Sequence, residues 1–173
     1  MVQLESISVP PLVEVGTVSN IVLDCPYSVK EEEKKGLVLK WYLNSLYIPI
    51  YQWMPPNLPY GLGVMEGRLD LNFCMSSDPY TQHRALAIHK PSIAMSGAYT
   101  CKVATIHNEV SFTSSMVVYL PPKAITLTQH HLSHNLLNIS CLVDRCFPKP
   151  EIKIGVASHR YGEEAFDGVE FRK

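Results

Sequence analysis

"SGAYTC", residues 96–101, is the stretch whose reading decides the fold. Side chains on an extended strand point alternately to opposite faces of a sheet, so Tyr99 and Cys101 share one face. Gly97 stands on the same alternation, and Leu86 and Ile88 upstream repeat the two-residue spacing. Working outward, "VEVGTVSNIVLDC" (13–25) carries a turn glycine, Gly16, and then Ile21, Leu23 and Cys25 on one face, with Val22 and Asp24 on the other. In "LVLKWYLN" (37–44), Leu39 and Trp41 share one face, Lys40 and Tyr42 the other. "IYQWMPP" (50–56) reads as an edge strand stopped by Pro55 and Pro56, whose missing N–H groups end a ladder. "LDLNF" (69–73), "RALAI" (84–88) and "SFTSSMVVYL" (111–120) supply three more short runs. Turn residues divide these runs and no long helical period intervenes, so the fold class is all-β.

Bulk properties bound what such a chain can do. With 173 residues, 46% of them hydrophobic, and a net charge of -1, it can bury one sizeable core and begin a second. Near-neutral charge leaves no electrostatic footprint for nucleic acid or an acidic membrane surface. No apolar run approaches the roughly 20 residues that cross a bilayer. The first 24 residues lack the basic-then-apolar layout of a secretory signal.

The order and spacing of Cys25, Trp41, Leu86, Ile88, Gly97, Tyr99 and Cys101 resemble those of the immunoglobulin superfamily over residues 5–120. That resemblance implies a two-sheet sandwich. Cys25 and Cys101 would bridge the sheets, Trp41 would pack on the bridge, and Tyr99 would anchor a corner through its hydroxyl. The sequence separation of 76 between the cysteines, 60 of it after Trp41, leaves room for the extra edge strands of a variable-type (V-type) domain. Two departures stand out. Met95 occupies a position where many V domains carry an aspartate, which leaves Arg84 without that partner. "SFTSS" lacks a Gly-x-Gly bulge, which argues against antigen-receptor chain pairing. A disulfide implies an oxidising compartment, so the protein is expected to be extracellular, secreted or attached at the cell surface, its leader missing from the chain as given. Five cysteines leave at least one unpaired.

Within the superfamily, the chain resembles the beaten path (Beat) family of neuronal immunoglobulin proteins. The resemblance rests on the "VP" start followed by "VEVG", the "LKWY" strand, the tyrosine-rich "IYQWMPP" and the "SGAYTC" corner. It implies two immunoglobulin domains and a sidestep-like receptor as partner in axon guidance. The stretch between Trp41 and Pro55 is slightly longer than in that family.

"PPK" (121–123) reads as a stiff hinge between residues 1–120 and 124–173. Beyond it, "LLNISCLV" (136–143) places Leu137, Ile139 and Cys141 on one face, and "CFPKPEIKI" (146–154) resembles a constant-type turn and strand with Ile154 near the tryptophan position. A sandwich needs roughly 100 residues. The second immunoglobulin-like domain is therefore expected to be incomplete, least ordered from Gly155 onward. Asn138 in "NIS" is a glycosylation acceptor.

Catalytic readings fare poorly. His130, His131 and His134 have no acidic or sulfur ligand nearby in sequence, so they read as a polar connection rather than a metal site. "GLGVMEG" (61–67) is a loop and not a phosphate cradle, and no nucleophile elbow occurs. Cys74 reads as a half-buried thiol and "EEEKK" (31–35) as a solvated turn. No enzyme, cofactor or metal is expected. What remains is recognition of another immunoglobulin-superfamily surface protein through the sheet bearing Lys40 and Tyr42, with Thr100, Lys102 and Ala104 on the strand beside it. Tyr51, Gln52 and Trp53 add to it, one alternate set facing out; Tyr51 and Trp53 either join the contact or pack against their own edge loop. The alternative is an immune-type binder of soluble or microbial ligands that uses the end loops "VKEEEKKG" (29–36) and "ATIHNEVS" (104–111).

Overall fold

The structure, a computed structural model, describes residues 1–134, 136–160 and 163–167, the backbone alone from residue 156. It divides into two compact units, Met1–Tyr119 and Leu120–Lys173. Among the described residues there is no α-helix. Unit 1 runs β1 (Gln3–Leu4), β2 (Leu12–Glu14), β3 (Asn20–Leu23), β4 (Tyr27–Ser28), β5 (Val38–Leu43), β6 (Tyr51–Trp53), β7 (Tyr60–Gly61), β8 (Leu86–His89), β9 (Gly97–Ala104) and β10 (Glu109–Tyr119). One layer is a six-stranded sheet in the order β2-β10-β9-β5-β6-β7. The facing layer pairs β3 with β8 and β1 with β4.

β9 shows why the chain folds this way. Tyr99, Cys101 and Val103 are fully buried on one face, while Lys102 and Ala104 on the other are half-buried. Cys101 is joined to Cys25, which links the layers. Trp41 lies fully buried opposite Cys101 in the β5–β9 register, and its Nε1–H donates to the Arg84 carbonyl at 3.2 Å. The Tyr99 hydroxyl donates to the Met95 carbonyl at 2.6 Å, which closes the corner that opens β9. Gly97 sits at φ +149, where a side chain would collide with Asn44, so only glycine lets the 44–50 loop approach this strand.

Several expectations need correction. Arg84 is not left alone: its Nε and Nη2 donate to the two Asp24 carboxylate oxygens at 2.9 and 3.0 Å. The carboxylate comes from the end of β3, and Met95 takes its own place in the core. "LDLNF" is not a strand. Only Leu69 bridges to Ile88, and the Asp70 carboxylate accepts from the Asn72 N–H to make a turn instead. Cys74 is consequently exposed, not half-buried. Nor is β6 an edge strand, since β7 pairs outside it.

In unit 2, β11 (Ala124–Ser133) and β12 (Leu136–Asp144) form an antiparallel hairpin, and β13 (Val156–Arg160) pairs with β14 (Glu163–Asp167). His130 and His131 lie on β11 itself and not in a connection, while His134 follows in the turn. Ile139, Cys141 and Val143 are less exposed than the residues between them, as alternation requires. No strand forms over 147–155, so Ile154 does not hold a strand position. The expectation about order from Gly155 onward falls in part on residues 161–162 and 168–173, outside the described residues.

Burial raises the phenol pKa values of Tyr27, Tyr51 and Tyr99 well above the ordinary tyrosine range. The unfolded chain gives up these protons at about pH 10, and the folded chain holds them to higher pH. Stability from this source is complete below about pH 10 and falls as the pH rises beyond it. The expected outcome is a melting temperature that is level near neutrality and drops steeply above about pH 10, with a shallower drop for Tyr51→Phe. A melting temperature level through that range would contradict the burial of the three phenols.

Candidate interaction surface

The outer face of the six-stranded sheet is assembled by register. One rung reads Tyr60, Gln52, Lys40, Lys102, Ser111 across β7, β6, β5, β9 and β10. The next reads Tyr42, Thr100, Thr113. These residues alternate with the buried Leu39, Trp41, Tyr99, Cys101 and Val103, so they project away from the core. The result is a flat face of amide, hydroxyl and ammonium groups.

Charge at its centre is unbalanced. Lys40 and Lys102 stand directly opposite, an unfavourable like-charge pair. Lys102 is compensated by Glu109, whose carboxylate lies 2.7 Å from Nζ and raises the lysine pKa through that hydrogen bond. Lys40 is half-buried and has no ion-pair partner among the described residues.

The aromatic residues expected at this face are placed otherwise. Tyr51 and Trp53 form the inward set of β6. The Tyr51 hydroxyl donates to the His83 carbonyl at 2.7 Å, and Trp53, 1% exposed, donates from Nε1 to the Asn57 carbonyl at 3.0 Å. The Trp53 ring meets the His83 ring edge to face at 5.5 Å. Both are core residues, and Gln52 faces out in their place. Tyr42 is on the outer face but only 5% exposed. Alternation selects a face, yet it does not say whether neighbouring side chains close over a residue. Tyr60 and the stretch Leu46–Tyr47–Ile48 were missed, and all four are exposed. The only signal for residues 46–48 was an apolar run following the turn residues Asn44 and Ser45.

At the sandwich end bearing 29–36, a single 3-10 turn covers Glu31–Glu33, and the Lys34 ammonium pairs with Glu31 and lies over the Tyr80 ring at 4.9 Å. The neighbouring 105–108 turn is tied by bonds between Thr105 and Asn108. Asn138 lies exposed on β12, opposite His130.

Similar architecture recurs widely, with 1129 solved chains matching. The amphioxus IgVJ-C2 molecule matches at 18% identity and a TM-score of 0.54, over 79% of this chain and 71% of that one. Bovine butyrophilin matches at 16% identity and a TM-score of 0.61, over 93% of this chain and 71% of that one. The fold is immunoglobulin-like. The strands β6 and β7 beside β5 are the additional pair that marks the variable type. No protein-family model matches the chain, and no curated protein does.

The placement of the aromatics is testable through stability. Trp53→Ala is expected to cost roughly 3–5 kcal/mol in denaturant unfolding, the range for a large buried aromatic. Tyr60→Ala, on the outer face, should stay within about 0.5 kcal/mol. Equal effects would refute the inward assignment of β6.

Proposed function

We propose that this chain is a non-enzymatic, extracellular recognition protein whose outer sheet face docks on another immunoglobulin-superfamily protein. The observation that carries the reading is the rung Tyr60, Gln52, Lys40, Lys102, Ser111, a flat polar strip with one uncompensated ammonium at its centre. Flat mixed faces of this kind suit protein contact. Polar groups fix the register, and a charge at the centre gives specificity when a partner supplies its counterpart. Lys40, Lys102, Gln52 and Tyr60 are the contact residues in this reading; Tyr42, 5% exposed, contributes little.

The finer assignment, a neuronal recognition protein with a sidestep-like receptor as partner, is supported by the resemblance of "VEVG", "LKWY", "IYQWMPP" and "SGAYTC" to the beaten path family. The paired cysteines favour an oxidising, extracellular setting, and exposed Asn138 is the glycan acceptor in it. The 105–108 turn is short and bonded to itself, which favours the sheet face over the end loops as the binding element.

Binding measured by biosensor against purified ectodomains of immunoglobulin-type surface proteins, sidestep-like receptors among them, tests this. Lys40→Glu is expected to weaken the productive pair at least about tenfold, with a melting temperature unchanged within error. Exchange of residues 29–36 and 104–111 for unrelated loops should leave binding intact. Binding that survives Lys40→Glu and is lost on loop exchange would overturn the sheet-face reading in favour of the end loops.

A further inference from the structure

The loop between β5 and β6 presents three consecutive large apolar side chains to solvent: Leu46, Tyr47 and Ile48, exposed by 57%, 94% and 72%. Beside them on the outer sheet face lies a hollow of about 490 Å³, lined by Asn44, Ser45, Leu46, Tyr47, Ala98 and Thr100. A knob and a hollow thus share one patch. The loop is not free to fold back into the hollow. Asn44 is pinned at its start, its Oδ1 accepting from the Ala98 N–H at 2.9 Å and its own N–H donating to the Ala98 carbonyl. Ser45 Oγ accepts from the Tyr47 N–H at 3.2 Å, which turns the tyrosine outward.

We infer that this patch is a contact between two copies of the chain, with Tyr47 of each copy seated in the hollow of the other. Three observations select a second copy. A two-fold contact requires a patch that complements itself, and knob and hollow side by side satisfy that requirement in one operation. Near a two-fold axis each group meets its own counterpart, so like charges there would repel. Residues 44–50 carry no charge, and the adjoining Ala98, Thr100 and Thr113 are neutral. The lysine pair Lys40–Lys102 lies one rung further along the sheet, outside the patch. The absence of any lysine or arginine in the loop also argues against a lipid surface, where cations flanking the apolar tip would meet anionic headgroups. A contact built on one loop tip and one hollow per copy is expected to be weak and reversible.

Sedimentation equilibrium of the full chain, with Cys74, Cys141 and Cys146 replaced by serine to exclude disulfide-linked copies, tests the inference without any partner protein. The expected result is a concentration-dependent monomer–dimer equilibrium. Tyr47→Asp should weaken it at least tenfold, and Lys40→Glu should leave it unchanged. Because Tyr47 is almost wholly exposed, its replacement should not alter the circular dichroism spectrum or melting temperature. A chain monomeric at all concentrations overturns the inference, whether a different protein or a membrane covers the patch. So does a dimer indifferent to Tyr47→Asp, which would place the contact elsewhere, as on the exposed apolar side chains Ile125 and Leu127 of β11.

Discussion

The Cys25–Cys101 link with Trp41 packed behind it is the constraint on which the rest of unit 1 depends. It closes a sequence separation of 76 residues, and in the chain-entropy account a loop of that length adds roughly 4 kcal/mol of stability by restricting the unfolded chain. More important for function is what the link holds in place. Cys101 sits at the centre of β9, so its neighbours Thr100 and Lys102 are held outward at a set depth. Trp41 does the same for Lys40 and Tyr42 on β5. A face can recognise a partner only if it is held firmly on its core, and one covalent tie from the central strand β9 to the facing layer anchors it there.

The edges of the six-stranded sheet follow a related logic. An open edge is a template for indiscriminate strand addition. Here one edge ends in the two-residue β7, and the other in β2, which pairs in parallel with the last three residues of β10. Beside β2, however, Glu109–Met116 of β10 pair only with β9, so the outer side of that stretch is an open edge. The broad face and the 44–50 loop offer other routes to association, the face through polar groups and the loop through apolar ones.

How much of this could be read from residues alone depended on the kind of signal. Alternation along β9, β5 and β3 was explicit in the residue pattern, whereas the scaffold roles of Cys25, Trp41, Tyr99 and Cys101 came from the resemblance to the immunoglobulin superfamily. In "IYQW" both alternate sets contain apolar or amphipathic residues, so parity left Tyr51 and Trp53 undecided until the hydrogen bonds to His83 and Asn57 showed them inside. Arg84 was misread because its carboxylate comes from Asp24, 60 residues away, and no local pattern announces such a pair. "LDLNF" has the composition of a strand, but Asp70 can bond to its own backbone, and that local turn won over pairing. His130 and His131 were misplaced for the converse reason. Two polar residues at the end of a hairpin look like a loop unless the partner strand, here Asn138 and Leu137, is known.

The two proposed contacts are centred on different parts of one sheet face, and that separation matters. The loop tip lies where β5 ends, whereas the Lys40 rung lies nearer the middle of the sheet. Were two copies held through their loops with the charged rungs left uncovered, a partner would meet two binding faces instead of one. Linked sites raise apparent affinity by effective concentration, with no new contact to the partner. A weak self-association is then the more useful kind. In that arrangement dilute copies would bind singly, and concentrated copies would pair and hold the partner longer. The threshold would be set by Tyr47 and the specificity by Lys40, two residues whose substitutions act on different equilibria.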